Sequence, residues 1–168
     1  MKFKSNQEDQ NKELEISENL KSGFLDLIQF EIDKLTLLNS ACYYFYKLGL
    51  TDYKKFCKHL LKACEDTKHC LIWQVMKNSI LIPELTIPKQ VEFADKIEPF
   101  KLLASMEETY VEKVTKLIDI AMEDKNWNNF NYLLDKLKAV DYICSRALSA
   151  VENNANILAL CEPHIMEK

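Results

Sequence analysis

Apolar residues recur along most of this chain at alternating steps of three and four, the spacing that lines them up on one side of an α-helix. The first stripe runs through Phe24, Ile28, Glu31, Leu35, Leu38, Cys42 and Phe45, and predicts a helix ending near Gly49. Thr51 and Asp52 are of the types that cap helix N-termini. From there a second helix is predicted through Phe56, Leu60, Trp73 and Met76 to about Ser79, antiparallel to the first. The segment ILIPELTIPKQVEF comes next, with two prolines. It exceeds the roughly 2 to 8 residues that usually join antiparallel neighbours, so it is expected to run the length of the assembly. A third stripe, Phe100, Leu103, Glu107, Tyr110, Val114, Leu117 and Ala121, is opened by Asp95 or Pro99. After the short loop EDKNWNN, a fourth contains Phe130, Leu133, Leu137, Val140, Cys144, Ala147 and Val151. Two helical hairpins joined by one long crossover make an all-α four-helix bundle.

Composition narrows the setting. A chain of 168 residues suits one domain, and its two glycines and four prolines leave few turns. Residues 1–17 are charged and lack apolar periodicity, which predicts a flexible arm; 18–152 form the bundle. The remainder, 153–168, is a short tail in which Pro163 limits any helix to about two turns. The formal charge is −4, with lysines interspersed among acids, so a nucleic-acid partner is not expected. No run approaches the roughly 20 apolar residues of a membrane span, and the N-terminus has no apolar signal core. A cytoplasmic protein is expected. The six cysteines form no CxxC pair and read as reduced thiols packed like small hydrophobes, Cys161 being the one expected at the surface. Tyr43, Leu61 and Leu71 fall outside the inner stripes and predict self-association through exposed apolar surface.

Two stripe positions hold carboxylates. Glu31 and Glu107 have apolar neighbours three or four residues away on both sides, and burying an ionised group costs several kcal/mol unless a partner or metal compensates it. In the second helix Asp66-Thr67-Lys68-His69 sets an acid and an imidazole three residues apart on one face. Acid-x-x-His is the spacing with which di-iron carboxylate bundles bridge two ions and complete one of them. Glutamates reaching water at the bundle boundary, and an Asp–His pair on a solvated face, are the plainer alternatives.

The segment FEIDKLTLLNSACYYFYKLGL resembles the first helix of the ferritin family, DKIEPFKLLASMEETYVEK its third, and WNNFNYLL the start of its fourth. The resemblance spans residues 24–152. It implies a ferritin-like bundle in which Glu31, Asp66, His69 and Glu107 are the iron ligands and the catalytic residues. A di-iron site of that kind oxidises Fe(II) with dioxygen and serves iron storage. Partners would be iron ions, dioxygen, and further copies of the chain or other ferritin subunits. In this reading Glu31, Asp66 and His69 hold one iron, and Asp66 bridges to a second held by Glu107.

The ungapped register, which turns Asp66 and His69 inward, is preferred because it also turns Trp73, Met76 and Ile80 inward. The register set by Phe56 and Leu60 turns Thr67 and Cys70 inward instead. Other positions depart from the family. Val140 stands where a glutamine is expected, with Asp141 one residue away, and Leu38 replaces a tyrosine near the iron. Asn131 and Leu134 occupy positions that carry channel acids, and the terminal helix is short. The di-iron subunit is the leading reading; Val140, Leu38 and the shortened tail support a second, a non-catalytic, shell-forming ferritin-like subunit with a degenerate site. A coiled-coil adaptor unrelated to iron is a third, which leaves the inward carboxylates unexplained.

Overall fold

The computed structural model describes residues 16–153, apart from the side chains of Ala139 and Asp141. Most of the N-terminal arm, and the tail with Cys161 and Pro163, lie outside the described residues. Four long helices make up the fold: α1 (Glu18–Lys47), α2 (Thr51–Lys77), α3 (Glu98–Glu123) and α4 (Trp127–Glu152).

Local chemistry sets the helix ends. The Ser17 side chain accepts a hydrogen bond from the Leu20 amide at 3.3 Å and caps α1. Beyond Lys47, Gly49 takes φ +69°, a left-handed conformation that carries no penalty without a Cβ, and the Leu50 amide donates back to the Phe45 carbonyl at 2.9 Å. The expected caps at Thr51 and Asp52 do not form, because α2 already begins at Thr51 and Leu50 occupies the cap position. Both expected openers of α3 contribute. Asp95 Oδ1 accepts from the Ile97 and Glu98 amides at 2.7 and 2.9 Å, and Pro99 sits in the first turn.

Helix α1 packs on α2 and on α3, and α3 packs on α4. The α1–α3 pair is antiparallel. Going up α1, Ser17 meets Asp124, Asp26 meets Lys113, Lys34 meets Glu107, and Phe45 stacks on Phe100 at 5.8 Å between centroids. The helices come so close that a Cβ on Gly23 would lie 2.0 Å from Leu117 Cδ2.

The crossover between α2 and α3 climbs along α1, as its length requires. Gln29 clamps it in the manner of a strand neighbour, donating to the Thr86 carbonyl at 2.7 Å and accepting from the Thr86 amide at 3.0 Å. Higher up, Ser40 Oγ accepts from the Val91 amide at 3.0 Å, and Phe93 packs edge-on to Tyr44.

The core divides into two apolar clusters. One, around Phe45, Phe56, Leu60 and Phe100, fills the end with the α1–α2 turn; the other, around Phe24, Leu71, Val114 and Leu133, fills the opposite end. A polar layer containing Glu31, Lys34 and Glu107 lies between them.

The outer surface differs from expectation. Leu71 is fully buried and Leu61 is partly buried against the core, because both lie on the inward side of α2. Tyr43 is exposed as expected, together with Tyr46, Trp73 and Met76. Among the described residues no helix is long and apolar enough to cross a membrane.

Candidate functional site

The polar layer is built from the two central helices of the bundle. Glu31 and Lys34 are one turn apart on α1, and Glu107 and Tyr110 are one turn apart on α3. Because α1 and α3 run antiparallel in close contact, the four side chains converge. All four are buried, Lys34 with 1% of its surface exposed and the others with none.

Lys34 Nζ is 2.8 Å from Glu31 Oε1 and 2.9 Å from Glu107 Oε1, donating a hydrogen bond to the latter. The same ammonium lies over the Tyr110 ring, 4.2 Å from its centroid, a cation–π contact that favours the charged form. Glu31 Oε2 and Glu107 Oε2 are buried without a hydrogen-bond partner among the described residues. Thr67 of α2 and Val140, Ile143 and Lys136 of α4 complete the lining of a small cleft here.

Two carboxylates against one ammonium leave a surplus of negative charge in a poorly solvated place. Burial raises the Glu31 carboxyl to about 7, the neighbouring Glu107 adding to the rise while Lys34 opposes it. Glu107 is also raised by burial, against the pull of Lys34. For Lys34, burial disfavours the charge, but Glu31 and Glu107 outweigh it and hold its pKa above the ordinary value. The layer therefore keeps its ammonium throughout the neutral range, and Glu31 holds its proton until about neutrality.

The four expected ligands are not brought together. Glu31 and Glu107 meet, while Asp66 and His69 are exposed on the outside of α2. The inner stripe of α2 is Cys57, Leu60, Cys64, Thr67, Leu71 and Val75; of these Thr67 lines the cleft and the others are fully buried. The ungapped register is thus corrected. Turning Asp66 and His69 inward would bring Trp73 and Met76 in with them, but would expose Leu60, Leu71 and Val75, a loss of apolar burial without compensation. Trp73 and Met76 are instead 65% and 59% exposed, and only Ile80 of that set is buried. In the other register Thr67 does face inward, but Cys70 is exposed.

Lys34 is the residue that sequence reasoning missed. It lies three residues after Glu31 and four before Leu38, so it belongs to the inner stripe Leu27, Glu31, Lys34, Leu38, Ala41, Phe45, none of which is more than 2% exposed. Leu35, one position on, drew the stripe past it. A lysine one turn after an inward acid was the available signal.

This donor set does not fit a pair of irons. The position between the two carboxylates is taken by an ammonium, Val140 offers no donor, and the α2 residue that lines the cleft is a threonine. Among the described residues no group of three or more His, Cys, Asp or Glu side chains is arranged to hold a metal ion.

The bundle is similar to solved ferritin structures. An open-pore ferritin from the hyperthermophilic archaeon Archaeoglobus fulgidus superposes with a TM-score of 0.81 at 17% identity, covering 92% of this chain and 99% of that one. A humanized archaeal ferritin gives 0.77 at 20% identity, with 89% and 90% covered, and Chlorobium tepidum ferritin 0.76 at 16% identity, with 85% and 88% covered. No family model and no curated relative matches the chain. The architecture is that of the ferritin-like fold.

Proposed function

We propose that this protein is a non-catalytic, ferritin-like subunit, contributing a bundle to an iron-handling assembly rather than oxidising iron itself. The observation that carries this reading is the buried Lys34 ammonium between Glu31 and Glu107. A lysine amine there does for the carboxylates what a bound cation would do, neutralising them from within the chain, and it repels a divalent ion from the same place. Asp66 and His69, on the outer face of α2, are too far round the helix to join them without unwinding its apolar packing.

In this reading the chain self-associates or joins other ferritin subunits, in keeping with its exposed Tyr46, Trp73 and Met76. Cys42, Cys57, Cys64 and Cys70 are reduced thiols, the state a reducing cytoplasm maintains.

The test is aerobic ferrous oxidation alongside calorimetric titration. The expected outcome is oxidation no faster than in buffer and no tight ferrous binding. Acceleration that disappears in Glu31→Ala and His69→Ala would instead restore the di-iron reading, in which dioxygen is reduced at Glu31, Asp66, His69 and Glu107.

A further inference from the structure

We propose that Cys42 and Cys57 form a thiol pair that hydrogen peroxide closes into an intrachain disulfide across the α1–α2 hairpin.

The placement comes from the hairpin itself. The two residues lie at equal distances on either side of the Gly49–Leu50 turn, Cys42 on α1 and Cys57 on α2, so antiparallel packing sets them opposite each other. The Cys42 thiol reaches across to α2, with its Sγ 3.9 Å from the Lys54 carbonyl oxygen, one turn before Cys57. Cys57 is fully buried in the core cluster at this end of the bundle, and Cys42 is partly exposed and packs against that cluster. One thiol is open to a small solute and the other is shielded behind it. That is the arrangement of an attacking and a resolving cysteine.

The electrostatics divide the roles the same way. A hydrogen bond with the Cys57 thiol, helped by Lys58 and Lys54, holds Cys42 below the usual thiol range against the opposing effect of burial. Cys57 is held well above it by the same hydrogen bond and by burial, and so retains its proton. Cys64, by contrast, is buried beside the polar layer and pushed up to about 12, which leaves it inert.

The chemistry balances with peroxide as the oxidant. The Cys42 thiolate attacks one peroxide oxygen, the O–O bond breaks, and the departing hydroxide takes up a proton as water, leaving a sulfenic acid. The Cys57 sulfur then attacks the Cys42 sulfur, the S–O bond breaks, and the hydroxyl leaves as water with the Cys57 proton. Two thiols lose two hydrogens, and one peroxide becomes two waters.

The test uses the full-length reduced chain. It is treated with hydrogen peroxide at micromolar protein, blocked with N-ethylmaleimide, and digested after lysine without reduction. The expected product is residues 35–47 joined to residues 56–58 and lighter by two hydrogens, formed at a rate independent of protein concentration. In Cys57→Ala the Cys42 sulfenic acid should persist and be captured by dimedone. In Cys42→Ser the cross-link should vanish, with Cys57 alkylated only after unfolding. Oxidation of the exposed Cys70 ahead of Cys42, or a Cys42 sulfenic acid in the unaltered chain that never joins Cys57, would overturn the proposal.

Discussion

Burying Glu31 and Glu107 side by side costs several kcal/mol unless a positive charge joins them, and Lys34 supplies it at 2.8 and 2.9 Å. Removing that charge while keeping the carboxylates, as in Lys34→Met, should cost about 3 to 5 kcal/mol in denaturant unfolding. A smaller replacement adds a second readout. Lys34→Ala leaves both an opening and an unmet demand for a cation, so added Mn²⁺ should raise its unfolding midpoint by binding the folded state, while leaving that of the unaltered protein unchanged. The same residues give stability a definite pH dependence. Glu31 titrates near 7 when folded and at about 4.5 when unfolded. The folded state thus holds the extra proton between those values. Stability is greatest below about pH 4.5 as far as this group is concerned, falls as pH rises to 7, and is level beyond; Glu107 acts in the same direction. Lys34, raised above 10.5, contributes stability that is lost only in stronger alkali. Unfolding midpoints of Glu31→Gln should fall less across pH 4.5 to 7 than those of the unaltered chain.

Among the helices, the α1–α3 contact is the tightest constraint. An alanine at an exposed helical glycine gains about 1 kcal/mol. At Gly23 the new methyl meets Leu117, itself 4% exposed and enclosed by the core. The clash prevails, and Gly23→Ala should destabilise by about 1 to 3 kcal/mol. In a Leu117→Ala background the same change should become neutral or favourable, a coupling that a double-mutant cycle would measure. The crossover is held in a different way, by side chains of α1 bonding its backbone at separate points. Gln29→Ala should therefore accelerate amide exchange at Thr86 while leaving Val91 protected by Ser40.

At the scale of the molecule, the polar layer does more than bind a lysine. It divides the interior into two apolar halves, and a bundle that slid by one turn along α1 would move Lys34 away from Glu107 into hydrocarbon. The layer thereby fixes the register between the hairpins. On the outside, Tyr46, Trp73 and Met76 are 65%, 65% and 59% exposed, a large apolar area for an isolated subunit. Sedimentation at micromolar concentration should give a species heavier than the 19.7 kDa chain. A stable monomer would contradict both this prediction and the shell-forming part of the proposed function.

The sequence by itself determined the bundle: four stripes at helical spacing, a turn at Gly49, and a proline-containing connection too long for a hairpin. It also marked Glu31 and Glu107 as candidate inward carboxylates, because each stands within an apolar stripe, where the other outcome is a side chain reaching water at the bundle boundary. It did not determine what answers them. Asp66 and His69 share a helical face with each other in any register, and only the packing of Leu60, Cys64, Leu71 and Val75 against α1 decides that this face looks outward. Lys34 was hidden for a related reason. A lysine beside a stripe ordinarily reaches water, and its fate here depends on a carboxylate 73 residues away on α3. Local spacing fixes which residues share a face of one helix. Which charges meet is a property of how the helices pack, and that was decided by tertiary structure alone.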